Sequence, residues 1–270
     1  MKQWITRIFT AMVFLFLIAP ILVLILFSFN ESKSLSVFSG GSIHWYLELF
    51  RDQNTWESIR NSLLLACSST TVAVVMGTFA AWEINRLCSW WYQKTISLVT
   101  EIPMINPDII TGISFLLMFV FMGGFLGSFS GLNFFTMLIA HITFCLPYVI
   151  LQVLPKCQQM DPSLKEAAMD LGCTTTKVFF KVELPEILPG ILTGGMMAFT
   201  MSLDDFVISY FTAGNGFETL PIRIYGMTKK TVTPKMYALA TILFLVTLSM
   251  LMVVNMIGDE EKNTKLGGWL

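Results

Sequence analysis

Asp108, Asp204 and Asp205, with Glu83 and Glu101, stand in or beside long apolar stretches of a 270-residue chain, and none of its 17 Lys and Arg stands within one. A carboxylate near the centre of a bilayer costs roughly 2–3 kcal/mol or more, so it faces a bundle interior or a wet cavity and defaults to a functional role. An all-acidic apolar interior favours a cationic solute. Ser202, Asp205, Ser209 and Thr212 recur at helical spacing and share one stripe of a helix. Asp204 is turned about 100° from Asp205, so the two cannot share a direction. Asp205 is expected to line a solute pathway; Asp204 either joins it from the edge or accepts hydrogen bonds from a neighbouring helix. A buried polar network tying helices together is the other reading of the pair. Asn106, Pro107 and Asp108 also form a local helix start, with Asn106 as N-cap, Pro107 first and the Asp108 carboxylate near the positive helix end. That capping role competes with a solute role for Asp108.

The elements that must hold these acids are membrane helices. The composition is 54% hydrophobic and 13% charged, about half the charge of a soluble domain, which excludes an ordinary soluble enzyme. A net charge of −1 leaves no polybasic face for nucleic acid. Five cysteines without a C-x-x-C, and two histidines, suggest neither a disulfide framework nor a closed zinc site. Six stretches reach the roughly 20 residues needed to cross a bilayer, at 8–29, 62–82, 96–125, 134–154, 187–211 and 237–257. The first is longer than a signal h-region and lacks an A-x-A-like cleavage site, so it is expected to be retained. Pro103 and Pro107 should break the third near Asn106, since about 45 Å of unbroken helix exceeds a perpendicular crossing. The expected fold is all-α and polytopic, a single transmembrane domain over 1–270. With the N-terminus cytoplasmic, ten basic residues fall inside and seven outside, which sum to the 17 of the chain and follow the positive-inside rule weakly. Both termini are then cytoplasmic. Cys67 and Cys145 fall within spans and Cys88, Cys157 and Cys173 at inner connections, as a reducing interior permits.

Between the fourth and fifth spans, the inner connection 156–186 reads as two short helices. Asp161 is an N-cap followed by Pro162 in the first turn, and Gly172 suits a left-handed C-terminal position. Thr174 to Thr176 can cap a second helix with Val178, Phe179 and Val182 on its apolar face, and Pro185 marks its end. Within it, Glu166-Ala167-Ala168, then Gly172, then Val182-Glu183-Leu184-Pro185 resembles the EAA loop of ABC importer permeases, with Val182 where Ile is common. The resemblance implies a type I importer permease architecture and a coupling helix, formed by Glu166, Ala167, Ala168, Gly172, Val182, Leu184 and Pro185, that docks on a separate ATPase subunit. No Gly-Lys dipeptide of a P-loop occurs, so ATP belongs to the partner ATPase and no cofactor is expected in this chain. Without an H-E-x-x-H pair or a G-x-S-x-G elbow, no enzyme activity or metal site is expected.

Asn106-Pro107-Asp108-Ile109, His141-Ile-Thr-Phe-Cys-Leu-Pro147, Ser202-Leu203-Asp204-Asp205, Leu220-Pro221 and Ala238-Leu-Ala-Thr-Ile242 narrow the resemblance to spermidine/putrescine permeases, nearer the PotC type than its PotB-like partner. Lys235, where an acid is common, and Tyr237, where Asn is common, depart from that pattern. The resemblance implies a PotB-like second permease, an ATPase dimer, an external polyamine-binding protein and alternating access. For a polyamine, spaced carboxylates would meet separated ammonium groups, and Tyr210, Phe206 or Tyr148 would add cation–π attraction of roughly 0.5–2 kcal/mol. The candidate pathway is therefore Asp205, Asp204, Asp108, Ser202, Ser209 and Tyr210. His141 reads as a neutral, hydrogen-bonded helix residue. The stretch 40–60 suits an interfacial amphipathic helix, and 214–216 a turn before an external helix at 220–230. Another cationic or small organic solute, or a secondary transporter or channel working without ATP, are the alternatives.

Overall fold

Apolar runs of this length can satisfy their backbone polar groups in lipid only as helices. The computed structural model describes residues 2–32, 39–87, 90–126, 131–214, 216–229 and 233–267, and these are helical apart from connections and one isolated bridge between Asn30 and Gly41. Lys33, Cys88, Asn215 and Lys230, used above for charge and turn assignments, lie outside the described residues. The helices are α1 (Lys2–Ser28), α2 (His44–Arg51), α3 (Gln53–Arg86), α4 (Trp90–Ile105), α5 (Asp108–Leu126), α6 (Phe134–Gln159), α7 (Pro162–Asp170), α8 (Thr175–Val178), α9 (Leu184–Asp204), α10 (Val207–Thr212), α11 (Leu220–Thr228) and α12 (Pro234–Gly267). Among the described residues, five runs are long and apolar enough to cross a membrane, and the bent pair α4 and α5 makes a sixth if it counts as one span. The chain is an all-α, multi-pass membrane protein.

Contacts divide the chain into two compact units, Met1–Ile59 with Leu220–Val246, and Arg60–Thr219 with Thr247–Leu270. In the first unit, Trp45 and Leu49 of α2 pack with Leu220 of α11 and Ala238 and Leu239 of α12. The Trp45 indole donates to the Asn30 carbonyl at 2.7 Å. The 40–60 stretch is not one interfacial helix. α2 stops at Arg51, and Asp52 caps α3 by accepting from Asn54 N–H and Thr55 Oγ1, so the first two turns of the long helix begin ahead of the expected span. Asp52 Oδ2 also meets Arg223 at 3.0 Å and Lys235 at 3.1 Å, and Lys235 meets Glu48 at 3.3 Å. Lys235, the departure from the family pattern, is thus the cation between two acids of this chain.

In the second unit α6 is the central element. It packs against α9, α10 and α4, and Ala140, Cys145, Val149 and Val153 on it are fully buried. Small residues bring the neighbours close: a Cβ at Gly77 would stand 2.7 Å from Val149, and one at Gly190 2.7 Å from Lys156 and 2.9 Å from the Gln152 carbonyl. Asn133 caps α6 in a capping box with Thr136, and Thr136 Oγ1 also donates to the Thr212 carbonyl at the end of α10.

Three expectations about helix continuity change. The third apolar stretch breaks where expected but turns by 99°, because Pro107 has no N–H for the Pro103 carbonyl and its ring crowds that carbonyl. Asn106 closes α4 through its N–H to Ile102 instead of opening α5, and Pro107 precedes the helix, its carbonyl accepting from Ile110 and Thr111. Pro185 does not end the loop's second helix. The Leu184 N–H reaches the Phe179 carbonyl in a π-helical turn, Phe179–Glu183, and the run Thr175–Asp204 continues through it. The wider turn accommodates the missing N–H of Pro185, which lies in the first turn of α9. Finally, the fifth helix stops at Asp204: Asp205 is extended, with φ −64° and ψ 124°, and α10 starts at Val207. A single stripe from Ser202 to Thr212 requires an unbroken helix, and the break removes it.

Candidate functional site

The break between α9 and α10 sorts the predicted pathway residues into two groups. A helix start leaves N–H groups without partners, and Asp205 supplies acceptors to α10: its Oδ1 accepts from Ile208 at 3.3 Å and its Oδ2 from Ser209 at 2.7 Å. Its side chain is only 6% exposed. Ser202 and Ser209 are buried with it. They meet on His141, whose Nδ1 lies 2.8 Å from Ser202 Oγ and whose Nε2 lies 3.0 Å from Ser209 Oγ and 3.5 Å from Asp205 Oδ2. The carboxylate beside Nε2 favours the tautomer protonated there, leaving Nδ1 to accept from the Ser202 hydroxyl. Ser69 of α3 continues the chain to Ser202 at 3.0 Å.

The second group faces outward. Asp204 and Asp108 are exposed, as is Tyr210 at 45%. Asp108 and Asp204 each lie within electrostatic range of the half-buried Tyr148 of α6. Tyr210 stacks in a tilted pair with Phe206 at 5.4 Å. α5 reaches α10 closely at Gly112, where a Cβ would stand 2.8 Å from Phe211. The structure therefore joins Ser202, Asp205 and Ser209 to His141, and leaves Asp204 and Asp108 exposed, each within electrostatic range of Tyr148. His141, which the sequence marks as a hydrogen-bonded helix residue without naming its partners, is the centre of the buried group. A buried histidine on an apolar helix is visible as a lone polar residue, but its partners are 61 and 68 residues away.

In the loop between α6 and α9, Asp161 caps α7 by accepting from the Ser163 N–H at 2.9 Å. That backbone bond, with the Ser163 hydroxyl, holds the Asp161 carboxyl below its ordinary value. α7 ends in a Schellman motif: Gly172, at φ +80°, donates to the Met169 carbonyl and Cys173 to the Ala168 carbonyl. Glu166 and Ala167 are exposed and Ala168 is buried. Val182 and Leu184 are half-buried and Pro185 is exposed. Glu183 is buried and accepts from the Trp82 indole at 2.6 Å, with the Phe179 ring 4.6 Å from that indole. Among the described residues, no group of three or more His, Cys, Asp and Glu could hold a metal ion, and Cys67, Cys145, Cys157 and Cys173 are free thiols.

A family model described as binding-protein-dependent transport system inner membrane component matches residues 73–259. The putrescine transport system permease protein PotI of Escherichia coli (strain K12) is 40% identical over 230 residues, 85% of this chain and 82% of that protein. The spermidine/putrescine transport system permease protein PotC of the same strain is 33% identical over 259 residues, 96% of each. Identity is thus higher to a putrescine permease than to the PotC type that the motifs resemble. Among solved structures, a bacterial ABC transporter that imports the acidic polysaccharide alginate superposes with a TM-score of 0.69 over 97% of this chain and 96% of that one, at 18% identity; that likeness concerns the fold. The fold is that of ABC importer permeases, and the matching relatives are transport subunits, not enzymes. From the matched residues 73–259 and the identity to both permeases, the chain belongs to the family of inner membrane components of binding-protein-dependent transport systems.

Proposed function

We propose that this chain is a permease subunit of an ATP-driven importer of putrescine and spermidine, forming half of the pathway, with both termini cytoplasmic. The observation that carries the solute class is the pair of exposed carboxylates, Asp108 and Asp204, brought from separate helices to the neighbourhood of Tyr148. No Lys or Arg stands in the apolar stretches that supply them. Two carboxylates set apart match the two ammonium groups of a diamine, and the aromatic faces of Tyr148 and Tyr210 add cation–π attraction. The names of the relatives point to the same solutes. Asp204 and Asp108 meet the solute in this reading; Ser202, Asp205 and Ser209 stand behind them.

α7 is the coupling helix. Its exposed Glu166 and Ala167, with Gly172 fixing the exit of the chain, dock into a groove on an ATPase subunit that binds the ATP. Closure of the ATPase dimer draws the loops of this chain and of a PotB-like second permease together and opens the outer side to a polyamine-binding protein. Hydrolysis resets the transporter.

The test is uptake of labelled putrescine into proteoliposomes holding the assembled transporter. Asp204→Asn and Asp108→Asn are each expected to cut uptake about tenfold or more with assembly intact, in line with the roughly 1.5–3 kcal/mol of a charge-assisted bond. Wild-type uptake in both variants removes the solute site. Gradient-driven uptake without any ATPase subunit removes the coupling mechanism.

A further inference from the structure

One imidazole bridges the broken fifth helix. His141 has no exposed surface, and each ring nitrogen is engaged: Nδ1 with Ser202 in the last turn of α9, Nε2 with Ser209 in the first turn of α10. Because the ring is rigid and its two nitrogens point in fixed, divergent directions, a bond at each end fixes the two helices relative to one another. Asp205 completes the joint from the α10 side, capping that helix while lying 3.5 Å from Nε2. Asp204 sits at the joint itself, as the last residue of α9, and is exposed where its sequence neighbour is buried. Its direction is therefore set by how α9 ends, and His141 holds that end through Ser202, which Ser69 of α3 also meets, and ties it to α10 through Ser209.

We infer that His141 is a positioning residue for solute recognition: held between Ser202 and Ser209, it keeps the α9–α10 break open and so aims the Asp204 carboxylate outward without itself touching the solute. This rests on the reading of Asp204 as a solute carboxylate. The same joint explains why two adjacent aspartates are used. One is consumed in building the break, and the break presents the other.

The experiment is equilibrium binding of labelled putrescine to the assembled membrane complex, without external binding protein, in a double-mutant cycle. His141→Gln keeps a polar group but only one end of the bridge, and is expected to weaken binding about tenfold in the wild-type background. In the Asp204→Asn background it is expected to change binding less than twofold, because the carboxylate it aims is gone. Equal weakening in both backgrounds overturns the inference, since His141 would then act as a general packing residue. Wild-type binding by His141→Gln overturns it as well. If His141→Gln does not assemble, Ser209→Ala carries the same comparison, with about threefold weakening expected and lost beside Asp204→Asn. Wild-type binding by Asp204→Asn alone defeats the solute site itself, whereas weakened Asp204→Asn with unaffected His141 and Ser209 variants defeats only the positioning role.

Discussion

At the scale of single residues, the chain places two kinds of carboxylate whose chemistry differs although their side chains match. Asp52, in the connection between α2 and α3, is pushed up by partial burial, and hydrogen bonds from Lys235, Arg223 and Thr55 outweigh this and hold it at about 2. Its folded value lies below the ordinary 3.8, so its contribution to stability is complete above that ordinary value and is lost as pH falls through the folded one. Asp52→Asn is expected to cost about 1–2 kcal/mol at neutral pH, after discounting for solvent screening. Thermal unfolding in detergent should show the gap to wild type closing as pH falls from about 5 towards 2; a gap independent of pH would place the effect elsewhere, for instance in the cap on α3. Asp205, inside the second unit, accepts from backbone N–H groups in place of cations.

At the scale of elements, breaks matter more than the helices they interrupt. α4 and α5, the π-helical turn before α9, and the joint between α9 and α10 each redirect or position the chain beside a candidate site residue by ending or widening a helix. Two glycines show how differently such connections are constrained. Gly172 has φ +80° with open space around its Cβ position, so Gly172→Ala faces only the left-handed backbone, about 1–2 kcal/mol. Gly214, at φ +65°, has the Leu132 carbonyl where a Cβ would stand. Gly214→Ala must displace backbone as well, and is expected to cost more than Gly172→Ala, about 3 kcal/mol or more. Thermal unfolding of the two variants side by side checks this order, and equal losses would contradict the close approach seen at Leu132.

At the scale of the whole molecule, much of the apolar surface is exposed. No residue in the most apolar window of α1 is buried within the chain, as suits a helix facing lipid or another subunit. The loop between α6 and α9, proposed above to couple to an ATPase, carries its own apolar patch: Leu171 at the end of α7 is 86% exposed, and Leu164 and Met169 are exposed beside it. Leu171→Asp is therefore expected to break co-purification with the ATPase subunit while the membrane subunits stay together. Retained ATPase after detergent extraction would count against docking through this face.

Taken alone, the sequence determined the membrane class, the apolar stretches, the break near Asn106 and the family, because hydropathy, proline position and the EAA spacing are local properties of the chain. It also determined the ends of α7, since Asp161, Pro162 and Gly172 act within one turn of themselves. Continuity across proline and through the fifth helix was not legible. Pro185 reads as a stop until a π-helical turn accommodates it, and Ser202 to Thr212 read as one stripe until the chain extends at Asp205. Only the tertiary structure decided which aspartate of the adjacent pair is presented and which is enclosed. That choice depends on His141, more than 60 residues away in sequence, and a long-range hydrogen bond leaves no periodic trace in the residues it joins.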